Sequence, residues 1–328
     1  MEQFKARNAK FVTSNFREKM VSNSAFGPFI GLVLLIIVFS FSSEYFFSLR
    51  NGLNILDQIT VLGILALGMT AVIIIGGIDL SVGSVLAFSM MVMGWLERQM
   101  GLPLELSILL GILCGGFCGL VSGLLISKAR LPAFIATLAM MSIARGMANI
   151  LTDGRQVVGF PEWFTNFSTE RYFGVLTITM GIFIIMTIVA AIYLKYRANG
   201  RNLYAIGGNA EVARLSGINV NRQTVTVYVV SGLLAGIAAM TLAARLDSSQ
   251  PSAGIAYELD TIAAVVIGGA SLQGGKGAIL GTVIGVLIIG VLRNGLNLMG
   301  VSPFFQQVVI GVVIAIAVAF DTLGKKQK

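Results

Sequence analysis

Two carboxylates interrupt apolar sequence in the first third of this 328-residue chain. Asp57 is flanked by Asn54 and Gln58, and Asp79 lies in Gly77-Ile78-Asp79-Leu80-Ser81-Val82-Gly83-Ser84. A carboxylate at mid-bilayer costs about 2.5–3.5 kcal/mol on insertion scales, so such a group faces a bundle interior or sits near an interface. Asp57 accordingly lines a polar route or is interfacial. Asp79 followed by Ser81 either caps the helix that opens there or lines a transport path or its mouth. Arg145 has Asn149 one turn on, Arg293 and Asn294 close a later apolar run, and Asn297 follows in the loop. These groups either hydrogen-bond ligand hydroxyls or tie helices together. Asn54, Asp57, Gln58, Asp79, Asn149 and Asn297 are the candidate lining of a translocation path.

No enzymatic constellation accompanies them. The chain has no histidine, which removes the H-E-x-x-H zinc motif and any Ser-His triad. The run Gly269 to Gly277, GASLQGGKG, approximates a P-loop but fails G-x-x-x-x-G-K-[ST], with Ala270 at the first glycine and Gly277 at the final Ser/Thr. Cys114 and Cys118, four apart on one apolar run, read as free packing thiols, since a metal needs more ligands than this. No catalytic, cofactor or metal site is expected.

The other informative stretch is 195–223, KYRANGRNLYAIGGNAEVARLSGINVNRQ, a polar and basic island between apolar runs. Within it, Glu211-Val212-Ala213-Arg214-Leu215-Ser216-Gly217 has the form E-x-A-x-x-x-G. Glu211 and Arg214 are three apart and share a helix face. Gly217 follows at a spacing suited to a helix end. A short polar helix closed by glycine is either an ordinary basic loop or a docking element for a soluble partner.

These residues require a membrane-spanning scaffold. Apolar residues make up 56% of the chain and charged residues 12%, which a soluble domain of this size cannot accommodate. The apolar runs predict about ten transmembrane helices, at 26–43, 54–76, 81–96, 105–127, 132–152, 174–195, 224–244, 258–269, 277–294 and 302–320. The eighth is too short to span alone. The result is an all-α polytopic protein with a single transmembrane domain over 26–322, an N-terminal segment 1–25, a cytoplasmic loop 196–223 and a tail 323–328. The first 25 residues are polar and basic and lack a cleavage signature, so the first apolar run reads as a retained span. The net charge of +8 has a topological explanation rather than a nucleic-acid one. With the N-terminus inside, sixteen cations fall in cytoplasmic segments and five in outside segments. Both termini and the 195–223 loop are thereby expected on the cytoplasmic side.

Two glycine ladders mark close helix packing, Gly111, Gly115, Gly119 and Gly123 on the fourth run and Gly277, Gly281 and Gly285 on the ninth. Five runs apart, their helices are antiparallel, as a five-plus-five inverted repeat would have it; independent packing is the other reading. A competing similarity, GGIDLSVG against GGASLQGG, links segments whose helices are parallel. The segment from Arg245 to Asp260 is polar and mixed in charge, and suits an external docking surface or a solvated loop.

Taken together, GIDLSVGS, AFIATLAMM, YAIGGNAEVARLSGINV, SSQPSAGIAYELDTIAAVVIGGASLQGGKG and NGLNLMGVSPFFQ resemble the permease subunits of bacterial sugar ABC importers, from about residue 50 to the C-terminus. The resemblance implies a bacterial inner-membrane homodimer of about ten-helix subunits, with a periplasmic sugar-binding protein outside and ABC ATPase subunits inside. The cargo it implies is a monosaccharide, ribose ahead of arabinose, xylose or galactose. It assigns the loop from Gly207 to Val220 to ATPase coupling, with Gly208, Asn209, Glu211, Ala213, Arg214, Ser216 and Gly217 as the contact residues. Val212 departs from the E-A-A-x-x-x-G pattern at its second alanine. The alternative is an ion-coupled secondary sugar transporter using Asp57 and Asp79.

Overall fold

The computed structural model describes residues 26–323. The expected N-terminal segment 1–25 and the tail beyond Leu323 lie outside the described residues. Thirteen helices are present among these residues. In chain order they are α1 (Phe26–Ser42), α2 (Leu49–Ile74), α3 (Val82–Arg98), α4 (Leu104–Ser127), α5 (Ala133–Ile150), α6 (Glu162–Thr169), α7 (Ile178–Tyr196), α8 (Ala198–Gly208), α9 (Ala210–Leu215), α10 (Val220–Leu246), α11 (Tyr257–Ile267), α12 (Ile279–Leu298) and α13 (Pro303–Leu323). A two-residue strand pair, β1 (Val157–Val158) with antiparallel β2 (Ser248–Ser249), joins two loops at one end.

All ten expected apolar helices are found within a few residues of their predicted places. Six of them, α2, α4, α5, α7, α10 and α12, are long and apolar enough to cross a membrane. The chain is an all-α multi-pass membrane protein. Starts are locally encoded: α4, α5 and α6 each follow a proline (Pro103, Pro132, Pro161), and Ser48, Thr177 and Asn219 cap α2, α7 and α10 through their side chains. The interior is built on α2 and α10, buried over 83% and 72% of their apolar windows, against 17% for α7. Exposed Leu109, Leu113 and Phe117 on α4, and Ile185, Ile188 and Ile192 on α7, present the apolar faces that lipid requires.

Helix contacts follow the exchange that a five-plus-five inverted repeat demands. The pair α2·α10 is its own counterpart; α3·α4 matches α11·α12, α4·α10 matches α12·α2, α3·α10 matches α11·α2, and α3·α5 matches α11·α13. The first helix of each half departs, since α1 packs on α12 whereas α7 packs on α2. The glycine ladders are close-packing faces, but not equivalent ones. A Cβ at Gly115, Gly119 or Gly123 would strike the α10 backbone, whereas one at Gly281 or Gly285 would strike the backbone of Gly268 or Ala264 at and beside α11. Gly277 precedes α12.

Two short helices were not expected: α6, whose Trp163, Phe164 and Phe167 form an aromatic cluster with the preceding Phe160, and α8, which turns the single expected loop helix into a pair. Asn297 lies in the last turn of α12 rather than in the following loop, because α12 continues to Leu298.

Candidate functional site

Three features gather the chain's candidate residues, at different places along the bundle. The first is the α8–α9 unit. Asn209, extended at φ −164°, caps α9 by accepting from the N–H groups of Glu211 and Val212, both at 3.0 Å. At the other end Gly217 N–H donates to Arg214 O and Ile218 N–H to Ala213 O, with Gly217 at φ +85°. This left-handed closure is one that glycine makes without steric cost. Glu211 and Arg214 form a two-point ion pair, Nε–Oε2 at 3.0 Å and Nη2–Oε1 at 2.5 Å, and both are well exposed. The hydrogen bonds from Arg214 hold the Glu211 carboxyl below the usual carboxylate range. Ala213 is buried against the protein, while Val212 (57%) and Leu215 (74%) are exposed, so α9 presents an apolar pair with no partner among the described residues, beside the exposed Glu211–Arg214 pair. That is the surface a groove in a partner protein can hold, with the charges setting register.

The seat of α8 is set by tertiary contacts. The C-terminal turn of α8 packs on two chain breaks at once. Gly275 N–H donates to Ile74 O at 2.8 Å, joining the α11–α12 connection to the end of α2. A Cβ at Gly207 would overlap both Ile74 O and Gly275 N, whereas a Cβ at the adjacent Gly208 would meet nothing. Tyr204 adds a hydrogen bond to Gly277 O at 3.0 Å. The two glycine-rich segments that resembled one another thus end side by side under α8.

The second feature is the centre of the bundle, where α3 and α11 begin inside the protein. Asp79 does not cap α3. Its Oδ1 accepts from Ser81 N–H at 2.9 Å and Ser81 Oγ at 2.6 Å, and its Oδ2 from Ser231 Oγ of α10 at 3.0 Å. The cap position is Ser81, which makes no side-chain cap bond. Asp79 is 4% exposed and ties the α2–α3 break to α10. From the opposite side the 247–256 segment descends along α3. Ser249 Oγ donates to Met90 O at 2.7 Å, and the Arg145 guanidinium donates to the carbonyls of Pro251 (2.5 Å) and Ala253 (2.8 Å). A Cβ at either Gly83 or Gly254 would strike the carbonyl of the other. The segment expected to be an external docking surface or a solvated loop is therefore largely interior, with Ser248, Ser249, Pro251, Ala253 and Gly254 buried. Its polar composition has a physical cause: irregular backbone at membrane depth must find partners within the protein. The eighth span is this extended stretch followed by an 11-residue helix, α11, which at 1.5 Å per residue covers about half a hydrocarbon core.

The third feature is a cavity of about 190 Å3 between α2, α10, α11 and α12, lined by Gln58, Arg245, Tyr257, Asp260 and Arg293 among others. Asp260 of α11 and Arg293 of α12 are ion-paired across it at 2.5 Å. Of the candidate path residues, Gln58 alone lines this cavity, and Asp79 belongs to the centre. Asp57 is paired with Arg171 of the 170–177 loop at 2.5 Å, which places it at the interface with that loop. Asn54 is exposed, Asn149 donates to Arg145 O of its own helix at 2.8 Å, and Asn297 is exposed at the end of α12. The structure does not bring these six together. Asn294, by contrast, makes a reciprocal amide pair with Asn51, both bonds at 2.9 Å, and so ties α12 to α2. The signal that could have found the cavity was the charge in 257–260, which reads the same on a solvated loop.

No solved structure matches this chain. Among curated proteins, the ribose import permease protein RbsC of Bacillus subtilis is 49% identical over 300 residues, covering 90% of this chain and 92% of that protein. The ribose import permease protein RbsC of Haemophilus influenzae is 45% identical over 306 residues, 91% of this chain and 94% of that one. The fructose import permease protein FrcC of Rhizobium meliloti is 37% identical over 314 residues, 93% and 87% of the two chains. The family model described as branched-chain amino acid transport system / permease component matches residues 51–318, the region that holds α8–α9, the paired chain breaks and the cavity, and the chain belongs to that family of membrane permeases.

Proposed function

We propose that this chain is the membrane subunit of an ATP-driven ribose importer. The observation that carries the reading is the 49% identity, across nine-tenths of the chain, to a protein named as a ribose import permease. The α9 geometry supports it. A doubly capped helix with exposed Val212 and Leu215 fits insertion into a groove of a cytoplasmic ABC ATPase, which would hydrolyse ATP in its own subunit. A sugar-binding protein delivers cargo at the opposite end, where the 151–177 loop lies against the start of the largely buried 247–256 segment. The cation bias supports a cytoplasmic placement of both termini and α9 in a bacterial inner membrane. A second copy of the chain, docked through the exposed face of peripheral helices, completes the path.

In mechanism, α9 is held to α8, and α8 bears on Ile74 and Gly275. Displacing α9 on ATP binding or release therefore moves the end of α2 and, through the α11–α12 connection, α11 together. Those helices carry the two breaks at the bundle centre, so an inward-open and an outward-open arrangement can alternate about the Gly83–Gly254 contact. The test is uptake of labelled ribose by a strain lacking this chain, with and without complementation. Restoration of ribose uptake, dependent on the ATPase and the binding protein, is the expected result. Uptake that persists without the ATPase would instead favour ion coupling.

A further inference from the structure

The cavity between α2, α10, α11 and α12 has no part in the coupling end, and its lining sets polar and charged groups beside the apolar Ile59, Leu62 and Ile289. Its walls place Gln58, Arg245, Tyr257, Asp260 and Arg293 around about 190 Å3, room for one small polyol rather than a peptide or lipid. Three groups have hydrogen-bonding capacity that the protein does not use. Tyr257, half-buried, has a hydroxyl with no partner among the described residues, and Gln58, exposed at the rim of the cavity, presents an amide with none. Arg293 Nε is buried and unpaired. The Asp260–Arg293 pair uses one carboxylate oxygen and one guanidinium nitrogen, which leaves acceptors and donors on both. A carboxylate offers about four lone-pair sites and a guanidinium five N–H groups.

A neutral polyol suits this lining. Each of its hydroxyls both donates and accepts, so it can bridge an intact ion pair without separating the charges. The Tyr257 ring supplies an apolar face and a polar tip. The cavity also sits where α11 starts inside the bundle, the position at which broken spans expose side chains to cargo. We infer that this cavity is a monosaccharide waypoint on the translocation route, with Gln58, Tyr257 and the Asp260–Arg293 pair reading sugar hydroxyls. The inference rests on the sugar-importer reading above.

The test uses the full complex of this chain, its ATPase and the ribose-loaded binding protein in proteoliposomes, with ribose uptake and ATP hydrolysis measured together. Gln58→Leu and Tyr257→Phe remove no bond that holds the fold. Each is expected to lower ribose taken up per ATP hydrolysed about tenfold, the scale of one lost hydrogen bond. Hydrolysis stimulated by the loaded binding protein should stay within about twofold of wild type, since α9 is untouched. A double exchange, Asp260→Arg with Arg293→Asp, separates a waypoint from a simple tie: a tie is rescued by the exchange, whereas a waypoint is not. If both single variants transport as wild type, or the exchange restores full uptake, the waypoint is overturned while the importer reading stands. If the wild-type complex imports neither ribose nor hexoses, both fall together.

Discussion

Gly275 donates its backbone N–H to the carbonyl of Ile74 at 2.8 Å. This one bond joins the end of α2 to the connection between α11 and α12, and α8 is seated over it through Gly207. The adjacent glycines of α8 therefore differ in consequence. Gly207→Ala is expected to lever α8 off the junction, costing about 1–3 kcal/mol, as overpacking does, and to reduce uptake severely. Gly208→Ala, whose Cβ meets nothing, should be close to neutral. Thermal melting of the purified chain and sugar uptake, measured for both variants, check the contrast. Equal behaviour would remove the junction from the mechanism.

Glu211→Lys places a second cation three residues from Arg214 and replaces an attraction with a repulsion. Uptake and ATPase association should be lost, while membrane insertion and binding of the external receptor persist. Because its carboxyl is held below the ordinary value, Glu211 supports α9 at every pH above its unfolded pKa, and that support is lost only as pH falls through the lowered folded value. Coupling should therefore be flat with respect to this pair between about pH 6 and pH 8. Wild-type transport by the variant would refute the coupling role of α9.

The charge bias yields a labelling experiment. In a background lacking Cys114 and Cys118, a cysteine at Asn209 should be shielded from impermeant thiol reagents on intact cells, and one at exposed Ser252 labelled. Neighbouring Ser248 is a poor probe because it is buried. The reverse pattern would invert the topology.

The ladders predict packing failure rather than loss of chemistry. Gly119→Leu would drive a side chain into the Tyr228 backbone, and Gly281→Leu into that of Gly268. Both should lower the amount of folded protein in the membrane, since close backbone approach is what such faces provide. Gly146→Leu on α5, whose Cβ would meet nothing, is the control. Normal abundance of the two ladder variants would show that these contacts do not limit folding.

Local rules explain what the sequence determined by itself. A span needs about 20 apolar residues in a row, a cap needs an Asn or Ser within three residues of a free N–H, and a helix closure needs a glycine beside its last turn. The apolar helices and the Asn209 to Gly217 unit follow from such rules, and their boundaries were legible to within a few residues. Tertiary structure decided everything that depends on which backbones touch. Gly207 and Gly208 are identical in type, and only the position of Ile74 and Gly275 leaves the first no room for a Cβ. The 247–256 segment has the composition of an exposed loop, and only its burial along α3 shows that the polarity serves backbone carbonyls. Asp260 and Arg293 were two charges in separate spans until antiparallel packing of α11 on α12 set them across one cavity. Polarity in a membrane sequence records that a group needs a partner; the fold alone selects whether the partner is water, backbone, another side chain or a ligand.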